Sequence, residues 1–135
     1  MIAIHQEGMN NRRLQKLIEA VGTITDGQPG FWRFDFEGRE LVAMTDENHN
    51  RVRVMTAVAT ESDLSDKEVR TLLDANFDRA LDAKYATSQG ILWSVFMHPF
   101  KELAEEQFFD AVSQVKTLAD NFGTSYSSSN LLFGG

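Results

Sequence analysis

The chain has no cysteine among its 135 residues. That excludes a disulfide framework, a thiol nucleophile and a thiolate metal site, and it suits a reducing, cytoplasmic setting. Basic residues are also in short supply, 13 Lys and Arg against 20 Asp and Glu, for a formal net charge of −7. A nucleic-acid partner is not expected, because phosphate binding needs a basic face. The acidic balance instead suits a protein whose partners are proteins or peptides. Long apolar runs are missing. The longest, Ile91 to Met97, is interrupted by Ser94 and far too short to cross a bilayer. The stretch from Met1 to Leu14 has no apolar leader core and carries Glu7, Arg12 and Arg13.

The three histidines, His5, His49 and His98, are scattered without metal-ligand spacing, and no cysteine can complete a site. Asp46, Asn48 and Asn50 imitate the opening of a calcium loop. The pattern then fails, with Arg51 where glycine is needed and Ala57 where the bidentate glutamate belongs. They read better as a polar hairpin turn. No nucleophile elbow or phosphate-binding glycine pattern occurs, because Gly27, Gly30 and Gly38 are spread over separate turns. The chain therefore reads as non-enzymatic, without catalytic residues, metal or cofactor.

What the sequence does carry is a change of hydrophobic period along its length. Leu14, Leu17, Ile18 and Val21 share one helical face, with Asn10 as N-cap and Gly22 in the left-handed position that closes the helix. Thr23 to Gly30 reads as a turn. Trp32, Phe34 and Phe36 alternate with Arg33, Asp35 and Glu37, and Glu37-Gly38 suits a tight hairpin into Arg39 to Thr45. Val52, Val54, Thr56 and Val58 continue a three-strand meander.

Ser65 and Glu68 have capping-box spacing and open a second helix. Its expected buried stripe is Val69, Leu72, Leu73, Asn76 or Phe77, Ala80 and Leu81, opposite an acidic row of Asp74, Asp78 and Asp82. A short strand from Lys84 and a longer one over Ile91 to His98 follow, the latter apolar on both faces. A last helix from about Glu105 to Phe122 has Phe108, Val112, Val115 and Ala119 on its core face. The expected fold is α+β in the order α-β-β-β-α-β-β-α. It is a single antiparallel sheet of about five strands, roofed by the first and last helices, with the second toward an edge or the other face. One domain spans 1–122, with 1–8 as a loose lead-in and 123–135 as a flexible serine-rich tail ending in Leu131, Leu132, Phe133 and a diglycine.

Tyr85-Ala86, Gly90, Leu92-Trp93, Pro99-Phe100, Leu103, Glu106, Phe108 and the helix through Leu118-Ala119, taken with the element order, resemble the type III secretion chaperone and YbjN-like (Tir-chaperone-like) superfamily. The resemblance covers about residues 9 to 122, and the sequence departs from it in its aromatic first strand and serine-rich tail. It implies a small, acidic, non-enzymatic α/β protein, commonly a homodimer. The secretion chaperones of that group hold a partner polypeptide in extended form across apolar patches.

Two function classes follow. In the first, the protein is a peptide-binding, chaperone-like homodimer. Trp32, Phe34 and Phe36 pack as core beneath a helix, or one or two of them stay exposed as a partner groove with Trp93 and Met55. Phe31 and Met55 point to the opposite sheet face, which self-association would bury. The alternative is a regulatory or sensory domain that binds a small ligand or signalling partner through Asp74, Asp78 and Asp82.

Overall fold

The computed structural model describes residues 8–129. Helix α1 (Asn11–Val21) is followed by strands β1 (Thr23–Gln28), β2 (Phe31–Phe36), β3 (Arg39–Asp46) and β4 (Arg51–Thr60). A 3₁₀ turn at Glu61–Asp63 leads to helix α2 (Asp66–Asp78), strands β5 (Lys84–Ser88) and β6 (Ile91–Pro99), and helix α3 (Glu105–Asp120). All six strands form one antiparallel sheet in the order β1-β2-β3-β4-β6-β5. Among the described residues no helix is long and apolar enough to cross a membrane.

The first four strands are a meander. The connection through α2 then carries the chain to the far edge, and β6 returns between β5 and β4. Two hairpins are made by two-residue turns with both residues at positive φ, Glu37-Gly38 and Gln89-Gly90. That geometry matches the twist of the strands it joins.

The sheet has one strand more than expected. Thr23–Gln28 reads as a turn in the sequence but forms the edge strand β1. Its side chains are nearly all exposed, so it lacks the alternation that marks a half-buried strand. An irregularity between Ile24 and Asp26 interrupts its pairing with β2, a common feature of edge strands.

Helices α1 and α3 pack on one face of the sheet. The core between them contains Leu14 and Ile18 of α1, Phe108, Val112, Val115 and Leu118 of α3, and Trp32, Phe34, Leu41, Val52, Val54 and Leu92 of the sheet. Polar groups in this layer are satisfied: the Trp32 indole donates to Gln15 at 3.0 Å and Ser94 Oγ donates to the Val115 carbonyl at 2.8 Å. Among the described residues no buried side-chain nitrogen or oxygen lacks a partner.

The caps explain where the helices begin. Asn10 accepts the Arg13 N–H, and Ser65 and Glu68 form the reciprocal capping box. Ala104 has no side-chain oxygen to cap α3, and the Gln107 side chain instead accepts the Ala104 N–H at 2.8 Å. Gly22 does not sit in the left-handed region, because its φ is −159°. It is needed for closeness: a Cβ there would lie 2.1 Å from the Asp35 carbonyl oxygen.

Helix α2 lies against edge strand β5, and this corrects its expected buried stripe. Leu72 and, past the helix end, Ala80 enter the core as expected, joined by Ala75, while Val69, Leu73 and Phe77 point outward, as does Leu81. The helix also stops at Asp78, so Asp82 lies in the following loop and not on a helical row. There its N–H donates to Gln114 Oε1, and its carboxylate accepts from Gln114 Nε2.

The segment after α3 is tied down as far as Ser129, not loose from residue 123. Ser127 and Ser128 are buried, and Ser128 Oγ accepts the Leu81 N–H at 2.8 Å. Tyr126 joins Tyr85 and Phe122 in an edge-to-face aromatic group. His5 and the Leu131–Phe133 tip lie outside the described residues.

Candidate functional site: the uncovered sheet face

Side chains alternate across a strand, so a sheet roofed on one face presents every second residue on the other. No helix among the described residues covers that second face. Register assembles its residues into rows across the strands. Phe31, Met44, Arg53 and Met97 form one row; Arg33, Val42, Met55 and Val95 form the next. Ala57, Trp93 and Ala86 form a third, toward the β5–β6 hairpin. Apart from Ala57, the residues of these rows line a shallow depression.

The packing on this face is local. Val95 is only 9% exposed yet lies outside the main core cluster, because long neighbours on its own face shield it. Phe31, Val42, Met44, Met55 and Trp93 are partly buried by one another, while Met97 remains 56% exposed. The Trp93 indole donates to the Ser88 carbonyl at 3.3 Å, which lays the ring toward the hairpin.

The expected partner residues therefore divide. Trp32, Phe34 and Phe36 are core, at 7% exposure or less, and have no surface to offer a partner. Met55 and Trp93 lie on the uncovered face, as does Phe31. The acidic set also disperses: Asp74 is exposed on α2, Asp78 pairs with Arg79 at 2.9 Å, and Asp82 is held by Gln114.

A second apolar surface lies where the helical spacing predicts core. Val69, Leu73, Phe77 and Leu81 follow a four-residue spacing and form an exposed ridge along and just past α2, with Leu73 63% and Phe77 93% exposed. The spacing announces an apolar stripe, but it does not say which apolar stripe the core takes. Contiguous apolar surface of this kind marks interaction sites.

The ionisable groups make structural pairs. Asp46 accepts from the His49 backbone at 3.1 Å and meets its ring nitrogen at 2.8 Å, and the side-chain bond to His49 is the main cause of its lowered pKa. Asn50 accepts the Lys101 N–H and donates to Glu102, which ties the β3–β4 turn to the loop before α3. These bonds make the β3–β4 connection a tied polar turn.

Burial would raise the Asp120 carboxyl, but hydrogen bonds from Lys116 and Arg39 outweigh it and hold the group below its usual range. Burial pushes the Tyr85 hydroxyl far up, and it donates to the Leu118 carbonyl at 2.7 Å. These three groups do not share a pocket. Among the described residues no three His, Asp or Glu side chains are placed to hold a metal ion.

This six-stranded antiparallel sheet, roofed on one face by its first and last helices with the middle helix at the edge, is a fold the chain shares with chains of two solved complexes. A chain of the HopA1–SchA chaperone–effector complex matches it with a TM-score of 0.62 and 9% identity, over 83% of this chain and 94% of that one. A chain of the ExsC–ExsE complex matches with a TM-score of 0.60 and 13% identity, over 83% and 92%. At these identities the likeness is one of fold. No protein-family model and no curated protein matches the sequence.

Proposed function

We propose that the protein is a non-catalytic, chaperone-like binding protein that acts as a homodimer and holds a segment of another polypeptide. The uncovered sheet face supports this reading most directly. Its apolar rows, centred on Met55, Val95 and Trp93, have no cover within the described chain. Burying such surface is favourable by about 25 cal/mol per Å² of apolar area. The α2 ridge is a separate apolar strip, suited to a two-fold contact in which the same patch meets itself. In this reading the ridge joins two copies and the sheet face takes the partner. The fold likeness to chains of solved complexes is consistent with a protein partner.

The reading is tested by a short, uncharged, leucine-rich peptide carrying a fluorescent label. Anisotropy should rise on adding the protein, and Met55→Glu should abolish the rise while circular dichroism stays unchanged. Equal binding by a folded Met55→Glu variant contradicts the assignment of this face.

A further inference from the structure

The depression on the uncovered face is lined by two arginines, Arg33 and Arg53, and by no carboxylate, although the chain is acidic overall. Arg33, Arg51 and Arg53 all rise from that face, on β2 and β4, among the apolar rows. None of the three pairs with a carboxylate among the described residues. The Arg33 guanidinium lies 5.6 Å from the centroid of the Phe31 ring. Arg53 Nε lies 3.3 Å from the Met97 sulfur. Arg51 is in register with Asp46, but that carboxylate is engaged by His49. Three other carboxylates stand around the depression: Asp26 is in register with Arg33 but forms no ion pair with it, and Asp35 and Glu40 sit opposite each other beside the β2–β3 hairpin. None of these carboxylates lines the depression itself. The arginines therefore flank the apolar rows toward the β3–β4 end, Arg33 and Arg53 lying on apolar neighbours, and none of the three is held in an ion pair among the described residues.

We propose that this face selects an acidic segment of a partner protein, with apolar side chains entering the rows and carboxylates meeting Arg33, Arg51 and Arg53. This rests on the peptide-holding reading above and adds the chemistry of the occupant. Guanidinium forks match carboxylates with two parallel hydrogen bonds, and they lose little hydration when covered. Each of the two apolar rows crosses four strands, about 14 Å at the spacing of neighbouring strands. That is long enough to meet several side chains of one segment. The rest of the molecule, with a surplus of acidic residues, repels the same partner elsewhere and so favours this site.

Three synthetic peptides with identical leucine positions test the inference, their intervening residues being all Glu, all Gln or all Lys. Binding is followed by anisotropy and by the Trp93 indole resonance. The Glu peptide is expected to bind about tenfold tighter than the Gln peptide, and the Lys peptide more weakly than either. The preference should shrink as salt is raised from about 0.05 M to about 0.5 M. It should also disappear in Arg33→Gln/Arg53→Gln, for which the Glu and Gln peptides should bind with equal affinity. Equal affinity for the Glu and Lys peptides overturns the acidic-partner inference but leaves peptide holding intact. Failure of all three peptides to bind overturns both. A Trp93 resonance that shifts with protein concentration alone overturns it differently, by making the occupant a second copy.

Discussion

Asn76 closes the free edge of the sheet by taking the place of a neighbouring strand. Its side-chain amide donates to the Tyr85 carbonyl at 2.9 Å, and its oxygen accepts the Tyr85 N–H at 2.8 Å. One residue of α2 thus satisfies both outward backbone groups of Tyr85, on strand β5, a strand position that would otherwise invite pairing with another chain. Replacing Asn76 with Ala removes both bonds. We expect a loss of about 1–3 kcal/mol in urea unfolding, the cost of leaving partly buried backbone groups unpaired. A variant as stable as the wild type would show that water or a shifted α2 replaces the amide.

The α2 ridge gives a prediction that separates folding from assembly. Phe77 is 93% exposed, so Phe77→Asp should leave monomer stability within about 0.5 kcal/mol. If the ridge joins two copies, the variant should sediment as a monomer at concentrations where the wild type is dimeric. An unchanged sedimentation coefficient removes the ridge from the proposed interface.

Arg39 and Asp120 join β3 to the end of α3, with Arg39 Nε and one terminal nitrogen both donating to Asp120 Oδ1 at 3.1 and 2.9 Å. Lys116 donates to the same carboxylate. Because the folded state lowers the Asp120 pKa from 3.8, its contribution is fully present above that ordinary value. It is lost as pH falls through the still lower folded-state value. The pair is partly exposed, so solvent screening limits it to about 0.5–1 kcal/mol. Asp120→Asn should lose that amount at neutral pH. It should also lose less additional stability than the wild type as the solution is acidified below pH 3.8. Parallel pH profiles of unfolding would contradict this.

The two tryptophans should behave oppositely. Trp32 is 1% exposed, and Trp32→Ala should cost about 3–5 kcal/mol, as large-to-small core changes do. Trp93 lies on the uncovered face and packs mainly on its neighbours there, so Trp93→Ala should cost about 1 kcal/mol. In our reading the second change, and not the first, lowers peptide affinity in protein that remains folded. Similar stability losses would place both rings in comparable surroundings.

How far the sequence reveals this arrangement depends on what each element buries. Trp32, Phe34 and Phe36 alternate cleanly because one face of β2 lies under helices, and β2 is legible for that reason. The Ser65–Glu68 box is equally plain, since its bonds are local. Edge strand β1 is hidden because backbone pairing holds it while its side chains meet solvent. Helix α2 is legible as a helix, but its buried side is not. Its apolar residues outnumber the positions that β5 can cover, and only tertiary packing selects Leu72 and Ala75 over Leu73 and Phe77.

The same limit applies to the candidate site. Alternation placed Met55 and Trp93 on the correct strands, and Phe31 and Met55 on the face opposite Trp32. The clustering of Arg33, Arg51 and Arg53 needed the register of strands far apart in sequence. The serines at 127 and 128 look like a loose tail, yet they bond to the loop after α2, a contact no local pattern announces.

The central claim is that the uncovered sheet face, and not the helical layer, receives the partner. Methionine-methyl NMR reads this directly, because Met44, Met55 and Met97 lie on that face while Met9 is buried in the core at 3% exposure. Titrating the leucine-rich peptide into methyl-labelled protein should shift the Met44, Met55 and Met97 resonances and leave Met9 in place. Peptide binding that leaves all three unmoved would contradict the account.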